Sequence, residues 1–111
     1  MTQVAQPQVE SDLTRSLEDA ALFVTRGRIG GDWIPAETSF SVTDPATGHE
    51  IARVAQMSAE QARQAVDVAH AAFDTWSVSL PQERARVLHA WYRGMLEHRE
   101  DLARIMTAEQ G

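Results

Sequence analysis

The residue types that most often carry chemistry are unevenly represented in this 111-residue chain. It contains no cysteine, which excludes thiol catalysis, cysteine-bound zinc and iron–sulfur clusters within it. The four histidines, His49, His70, His89 and His98, share no metal-ligand spacing such as i, i+4 on one helix, so they read as solvated or core-edge residues. Glu97, Glu100 and Asp101 are close enough in sequence for acid–base work or cation binding. Arg93, Arg99 and Arg104 beside them favour a salt-bridged, solvated helix face instead. Gly27, Gly30 and Gly31 precede strand-like residues and do not open a helix, so they are turn glycines and not a phosphate-cradling loop. Trp33, Trp76 and Trp91 have the chemistry of a stacking platform, but Trp76 and Trp91 fall on apolar stripes expected to be core, and Met57, Met95 and Met106 read as core or core-edge filler. No nucleophile, base and orienting carboxylate form a recognisable set. The residues by themselves assign no catalytic and no cofactor-binding position.

The elements that would position these residues follow from periodicity and turn chemistry. Residues 1–13 are polar and aperiodic, which predicts a flexible tail. Ser16 as N-cap, Glu18 and Asp19 in a first turn, and the spacing of Leu17, Ala20, Ala21 and Val24 predict a short helix. Arg28-Ile29 and Trp33-Ile34 flank Gly30-Gly31-Asp32, a hairpin signal. Phe40, Val42, Ile51 and Val54 predict a second strand pair around Asp44-Pro45-Ala46-Thr47-Gly48, in which Asp44 caps the turn and Gly48 takes a left-handed conformation.

Ser58-Ala59-Glu60-Gln61 is a capping box. The stripe Ala62, Ala65, Val66, Ala69, Phe73 and Trp76 behind it predicts an amphipathic helix that another backbone can approach closely. Pro81 opens a further helix with the stripe Val87, Leu88, Trp91, Met95 and Leu96. A break near His98 separates a last short helix carrying Leu102, Ile105 and Met106, which Gly111 caps. The expectation is a mixed α/β segment: a short helix, two β-hairpins, then two or three amphipathic helices.

Composition sets the outer limits. With 43% hydrophobic and 23% charged residues, the chain is of ordinary globular type. A net charge of −6, with arginine as the sole basic residue type apart from histidine and no basic stripe, argues against nucleic acid or an anionic membrane as partner. Ala20-Ala21-Leu22-Phe23-Val24 falls far short of the roughly 20 apolar residues of a membrane span. The polar, arginine-free start does not look like a secretory signal, so a cytoplasmic location is expected.

Ile29-Gly30-Gly31-Asp32-Trp33, followed by Phe40-Ser41-Val42-Thr43-Asp44-Pro45-Ala46-Thr47-Gly48, resembles the amino-terminal signature of the NAD(P)-dependent aldehyde dehydrogenase superfamily. Ile51-Ala52-Arg53-Val54, Ala71-Ala72-Phe73-Asp74-Thr75-Trp76, Glu83-Arg84-Ala85, Asp101-Leu102-Ala103-Arg104 and Glu109-Gln110-Gly111 follow in the family's order. No single piece is specific; their order and spacing from Leu17 to Gly111 are. Leu17-Glu18-Asp19-Ala20-Ala21-Leu22-Phe23 and the stretch from Leu102 to Gly111 are most similar to succinate-semialdehyde dehydrogenases. The family usually has Asn where Asp44 stands and often Glu where His49 stands; Asp and Asn both cap turns.

The resemblance implies an α/β parent enzyme several times longer. Residues 14–111 would be a truncated amino-terminal part of its dinucleotide-binding domain. In such enzymes a cysteine thiolate attacks the aldehyde, hydride passes to NAD or NADP, and water activated by a glutamate hydrolyses the thioester. Those residues lie later in the family's sequences, where Glu-Gln-Gly typically continues into Lys-Pro, so this segment alone is expected to be inactive and to bind no cofactor. The partners implied are the rest of the enzyme chain, an aldehyde substrate (succinate semialdehyde by the closest likeness) and further copies in a homo-oligomer. Some family members hold a monovalent cation through main-chain carbonyls of the second hairpin and a carboxylate at the last helix. The matching positions are Val42, Thr43 and Glu109; the resemblance suggests the site, while a plain helix-end role is the favoured reading of Glu109 itself. A competing reading is a non-enzymatic helical interaction module derived from the family's front end.

Overall fold

A computed structural model describes residues 11–111. The expected flexible tail therefore lies outside the described residues for positions 1–10. Residues 11–13 depart from that expectation: Ser11 caps, and Asp12 and Leu13 begin, helix α1 (Asp12–Ser16).

The elements continue as a 3₁₀ turn at Ala20–Leu22, β1 (Gly27–Ile29), β2 (Asp32–Ile34), β3 (Ser39–Thr43), β4 (Glu50–Ala55), α2 (Ala59–Ser77), α3 (Pro81–Glu97) and α4 (Arg99–Gln110). The mixed α/β order of helix, two hairpins and three helices is the expected one. The first helix is displaced from its expected position. Ser11 Oγ accepts from the Thr14 amide at 3.2 Å and starts α1 early. Asp19 Oδ1 accepts from the Ala21 amide at 3.0 Å and starts the 3₁₀ turn. Between them Leu17 is extended (φ −81°, ψ 143°), so two local caps and an extended joint prevail over the apolar spacing from Leu17 to Val24.

Both hairpins are antiparallel, β1 with β2 and β3 with β4. Ile29 pairs with Asp32 around Gly30 (φ 60°) and Gly31 (φ 95°), the two consecutive positive-φ positions a tight right-twisted hairpin turn needs. A Cβ on Gly30 would lie 3.0 Å from Val68 Cγ1, so the hairpin tip sits against α2. In the second hairpin Asp44 Oδ1 accepts from the Ala46 amide at 2.7 Å, and the Gly48 amide donates to the Asp44 carbonyl at 2.8 Å. Gly48 has φ 74°, as its place in the turn required.

The capping box of α2 is complete. Ser58 Oγ accepts from the Gln61 amide at 3.1 Å, and Gln61 Oε1 accepts from the Ser58 amide at 2.9 Å. Pro81 occupies the first turn of α3, and Glu83 Oε2 accepts from the Leu80 amide at 3.1 Å. His98 ends α3 and precedes α4, the break anticipated there. Gly111, at φ 79°, returns its amide to the Thr107 carbonyl at 2.9 Å.

The core is small. Among the described residues only Leu17, Ile29 and Ile51 are buried apolar side chains. The α2 and α3 stripes expected to be core are exposed: Phe73 at 61%, Trp76 at 44% and Trp91 at 67%, together with Val87, Leu88, Met95 and Leu96. Met106 is exposed as well, whereas Met57 is half-buried against Gly27. The reason is geometric: α2 meets the first hairpin near Val68 and α3 meets α4, and among the described residues these contacts leave most of the two stripes uncovered. No helix among the described residues is long and apolar enough to cross a membrane.

Candidate functional site

Chemistry-bearing residues converge at one corner, where the segment after α1 meets the amino-terminal turn of α4; the β3–β4 turn lies against the other end of that helix. Asp101 stands in the first turn of α4 and is only 3% exposed. Its Oδ1 accepts the Glu18 amide at 3.0 Å and Arg104 Nη1 at 2.8 Å; its Oδ2 accepts the Asp19 amide at 2.8 Å. The Asp19 and Glu18 amides, and then Arg104, favour the ionised form against the opposing effect of desolvation. They hold the Asp101 carboxyl below the usual aspartate range.

This corrects the reading of the acidic cluster as a uniformly solvated face. Glu97 and Glu100 are exposed, and Glu100 pairs with Arg99 at 3.3 Å. Asp101 faces inward because two backbone amides, more than eighty residues away in sequence, need an acceptor there. Its only local signal was the i, i+3 spacing to Arg104, which does not distinguish a surface pair from a buried one.

A cleft of about 600 Å³ adjoins this corner. Leu13 and Ser16 line one side, Ala103, Arg104, Thr107 and Ala108 of α4 the floor, and Asp44 and Ala46 of the β3–β4 turn another wall. The end of α4 touches that turn: a Cβ on Gly111 would lie 3.2 Å from the Ala46 nitrogen and 3.4 Å from Pro45 Cβ. Glu109 is exposed in the last turn of α4, Val42 is half-buried opposite Ala52, and Thr43 pairs with Glu50. The β3–β4 register shifts between Val42 and Thr43.

The other candidates stay apart. Among the described residues no group of three or more His, Cys, Asp and Glu could hold a metal ion. Trp33 carries the Arg28 guanidinium 4.7 Å from its ring centroid and that of Arg26 at 5.9 Å, a local cation–π stack that occupies the platform read from sequence. Gly30 and Gly31 form a hairpin turn, and Gly27 lies in β1 packed on Met57. None of the three leads into a helix N-terminus as a dinucleotide cradle requires.

Residues 33–111 match the family described as aldehyde dehydrogenase family. The chain belongs to the aldehyde dehydrogenase family. It is 48% identical over 97 residues to the 3-sulfolactaldehyde dehydrogenase of Pseudomonas putida, covering 86% of this chain and 20% of that protein. It is 40% identical over 97 residues to the NADP(+) succinate-semialdehyde dehydrogenase of Escherichia coli, with the same coverage of each. The crystal structure of succinate-semialdehyde dehydrogenase from Burkholderia pseudomallei superposes with a TM-score of 0.82 at 37% identity, over 86% of this chain and 20% of the other. The chain thus spans about one fifth of the length of the aldehyde dehydrogenases it matches. Its fold is that of the corresponding part of a solved family member.

Proposed function

We propose that this chain is the amino-terminal part of an NAD(P)-dependent aldehyde dehydrogenase that oxidises an aldehyde with a distal anionic group, succinate semialdehyde foremost, to its carboxylate. The observation that carries the reading is the family match from residue 33 to Gly111, in which every hairpin and helix from β2 to α4 keeps the family's order. The names of the relatives supply the substrate class: succinate semialdehyde carries a carboxylate and 3-sulfolactaldehyde a sulfonate. NAD or NADP, when bound to such an enzyme, accepts the hydride released as the aldehyde carbon is oxidised. No residue of this chain is given a step in that transfer, because the glycines present form hairpins and the chain holds no cysteine nucleophile.

The contribution of this segment is structural. The unpartnered face of α2 and α3, with Phe73, Trp76, Leu88 and Trp91, is the surface on which the rest of the enzyme chain would rest. Val42, Thr43 and Glu109 retain their proposed role as monovalent-cation ligands. The register shift at Val42 and Thr43 supports it, because irregular ladder positions are where main-chain carbonyls turn away from a partner strand. The contact of α4's end with the β3–β4 turn supports it too.

Reading the coding frame beyond Gly111 tests the proposal directly. A continuation into Lys-Pro and a region with a cysteine nucleophile is expected; a stop codon there overturns the enzymatic reading for this polypeptide and leaves an interaction module. The isolated 111-residue chain, assayed with succinate semialdehyde and NADP, is expected to give no turnover.

A further inference from the structure

The segment between α1 and β1 is attached to the molecule in an unusual way. It lies across the start of α4, yet Leu17 is its only buried apolar side chain. Helix α1 has five residues and the 3₁₀ turn three, each too short to persist in water by itself. What holds the segment is the pair of adjacent amides of Glu18 and Asp19, which point at the two oxygens of one carboxylate, Asp101. Beyond Phe23 the attachment changes: the Ala55 amide donates to the Thr25 carbonyl at 2.8 Å and staples residue 25 to the end of β4.

We propose that residues 11–23 form a strap, hinged between Phe23 and Thr25 and latched by Asp101, that opens as one unit without unfolding the hairpins or α2. The geometry gives the latch an all-or-none character. Leaving the Glu18 and Asp19 amides without acceptors in a part-buried position is costly, so both bonds break together when the strap lifts into water. Opening removes Leu13 and Ser16 from the wall of the cleft that Ala103, Thr107 and Ala108 of α4 also line. The strap is therefore the mobile wall of that cleft, and Asp101 is its positioning residue. Arg104 braces the carboxylate from the α4 side without touching the strap amides.

Native-state hydrogen exchange of the whole chain, read amide by amide at low denaturant, tests this. The amides of Thr14, Arg15, Leu17, Glu18, Asp19 and Leu22 are expected to share one opening equilibrium, at least tenfold more open than the β3–β4 amides. Exchange of the strap amides only with global unfolding overturns the proposal, as does exchange at the rate of an unstructured peptide. Asp101→Asn keeps the shape of the side chain but turns an NH₂ toward one of the two donors. It should speed exchange of the strap amides tenfold or more and leave β3–β4 and α2 unchanged. Unchanged strap exchange in that variant, or loss of protection throughout the molecule, removes the latch. Arg104→Met separates brace from latch: the strap amides should keep most of their protection, and a loss equal to that of the Asn variant would place the latch in the ion pair instead.

Discussion

The protonation of Asp101 is tied directly to the fold. Its carboxylate faces the Glu18 and Asp19 amides from the strap and Arg104 from α4, with Glu100 beside it in the same helical turn. Because the Asp19 and Glu18 amides lower its folded pKa, the stabilisation it brings is fully present above the ordinary aspartate value of about 3.9. It is lost as pH falls through the lower folded value. Strap protection should therefore be flat from neutral pH down to about 4 and decline below that; an Asp101→Asn protein should show the reduced protection at every pH. Proton exchange followed by NMR across that range checks both limbs. Glu109 supports a second expectation at this scale. If it completes a cation site with the Val42 and Thr43 carbonyls, potassium should raise the melting temperature more than choline at equal ionic strength. Glu109→Gln should erase the difference, and equal effects of the two salts would assign Glu109 to an ordinary helix end.

At the scale of elements, the hairpins and α2 were legible in sequence because their determinants are local. Gly30 and Gly31 must both adopt positive φ, and Asp44 needs only the amide two residues ahead. Replacing Gly48, at φ 74°, by Ala should cost about 1–2 kcal/mol, measured by denaturant unfolding, whereas the non-turn Gly94, with open space around its Cα, should accept Ala without loss. Ser58→Ala removes one half of a complete capping box and should cost about 1 kcal/mol, with fraying confined to the first turn of α2 in exchange experiments. The first helix was misplaced in sequence for a reason of the same kind, working in reverse. Ser11 and Asp19 each cap a turn of their own, and the extended joint between them carries the Glu18 and Asp19 amides to an acceptor in α4, which no window of neighbouring residues contains.

At the scale of the whole molecule, the apolar side chains of α2 and α3 stand exposed, Phe73, Leu88 and Trp91 foremost, and a patch of that character does not stay bare in water at high concentration. The isolated chain is expected to bind an apolar dye and to sediment as concentration-dependent oligomers. Trp76→Glu with Trp91→Glu should reduce both, and a monomer with a sharp cooperative unfolding transition would show the chain to be a self-sufficient module instead. The sequence by itself determined the family, the order of hairpins and helices, the turns at Gly30-Gly31 and Asp44–Gly48, and the caps at Ser58 and Gly111. Each of these rests on contacts within a few residues or on a pattern that spans the chain. Tertiary structure alone decided that Asp101 turns inward to two distant amides and that the tryptophan stripes lie uncovered. Burial depends on what stands opposite a residue. Periodicity marks the face that seeks a partner without saying whether the same chain provides one.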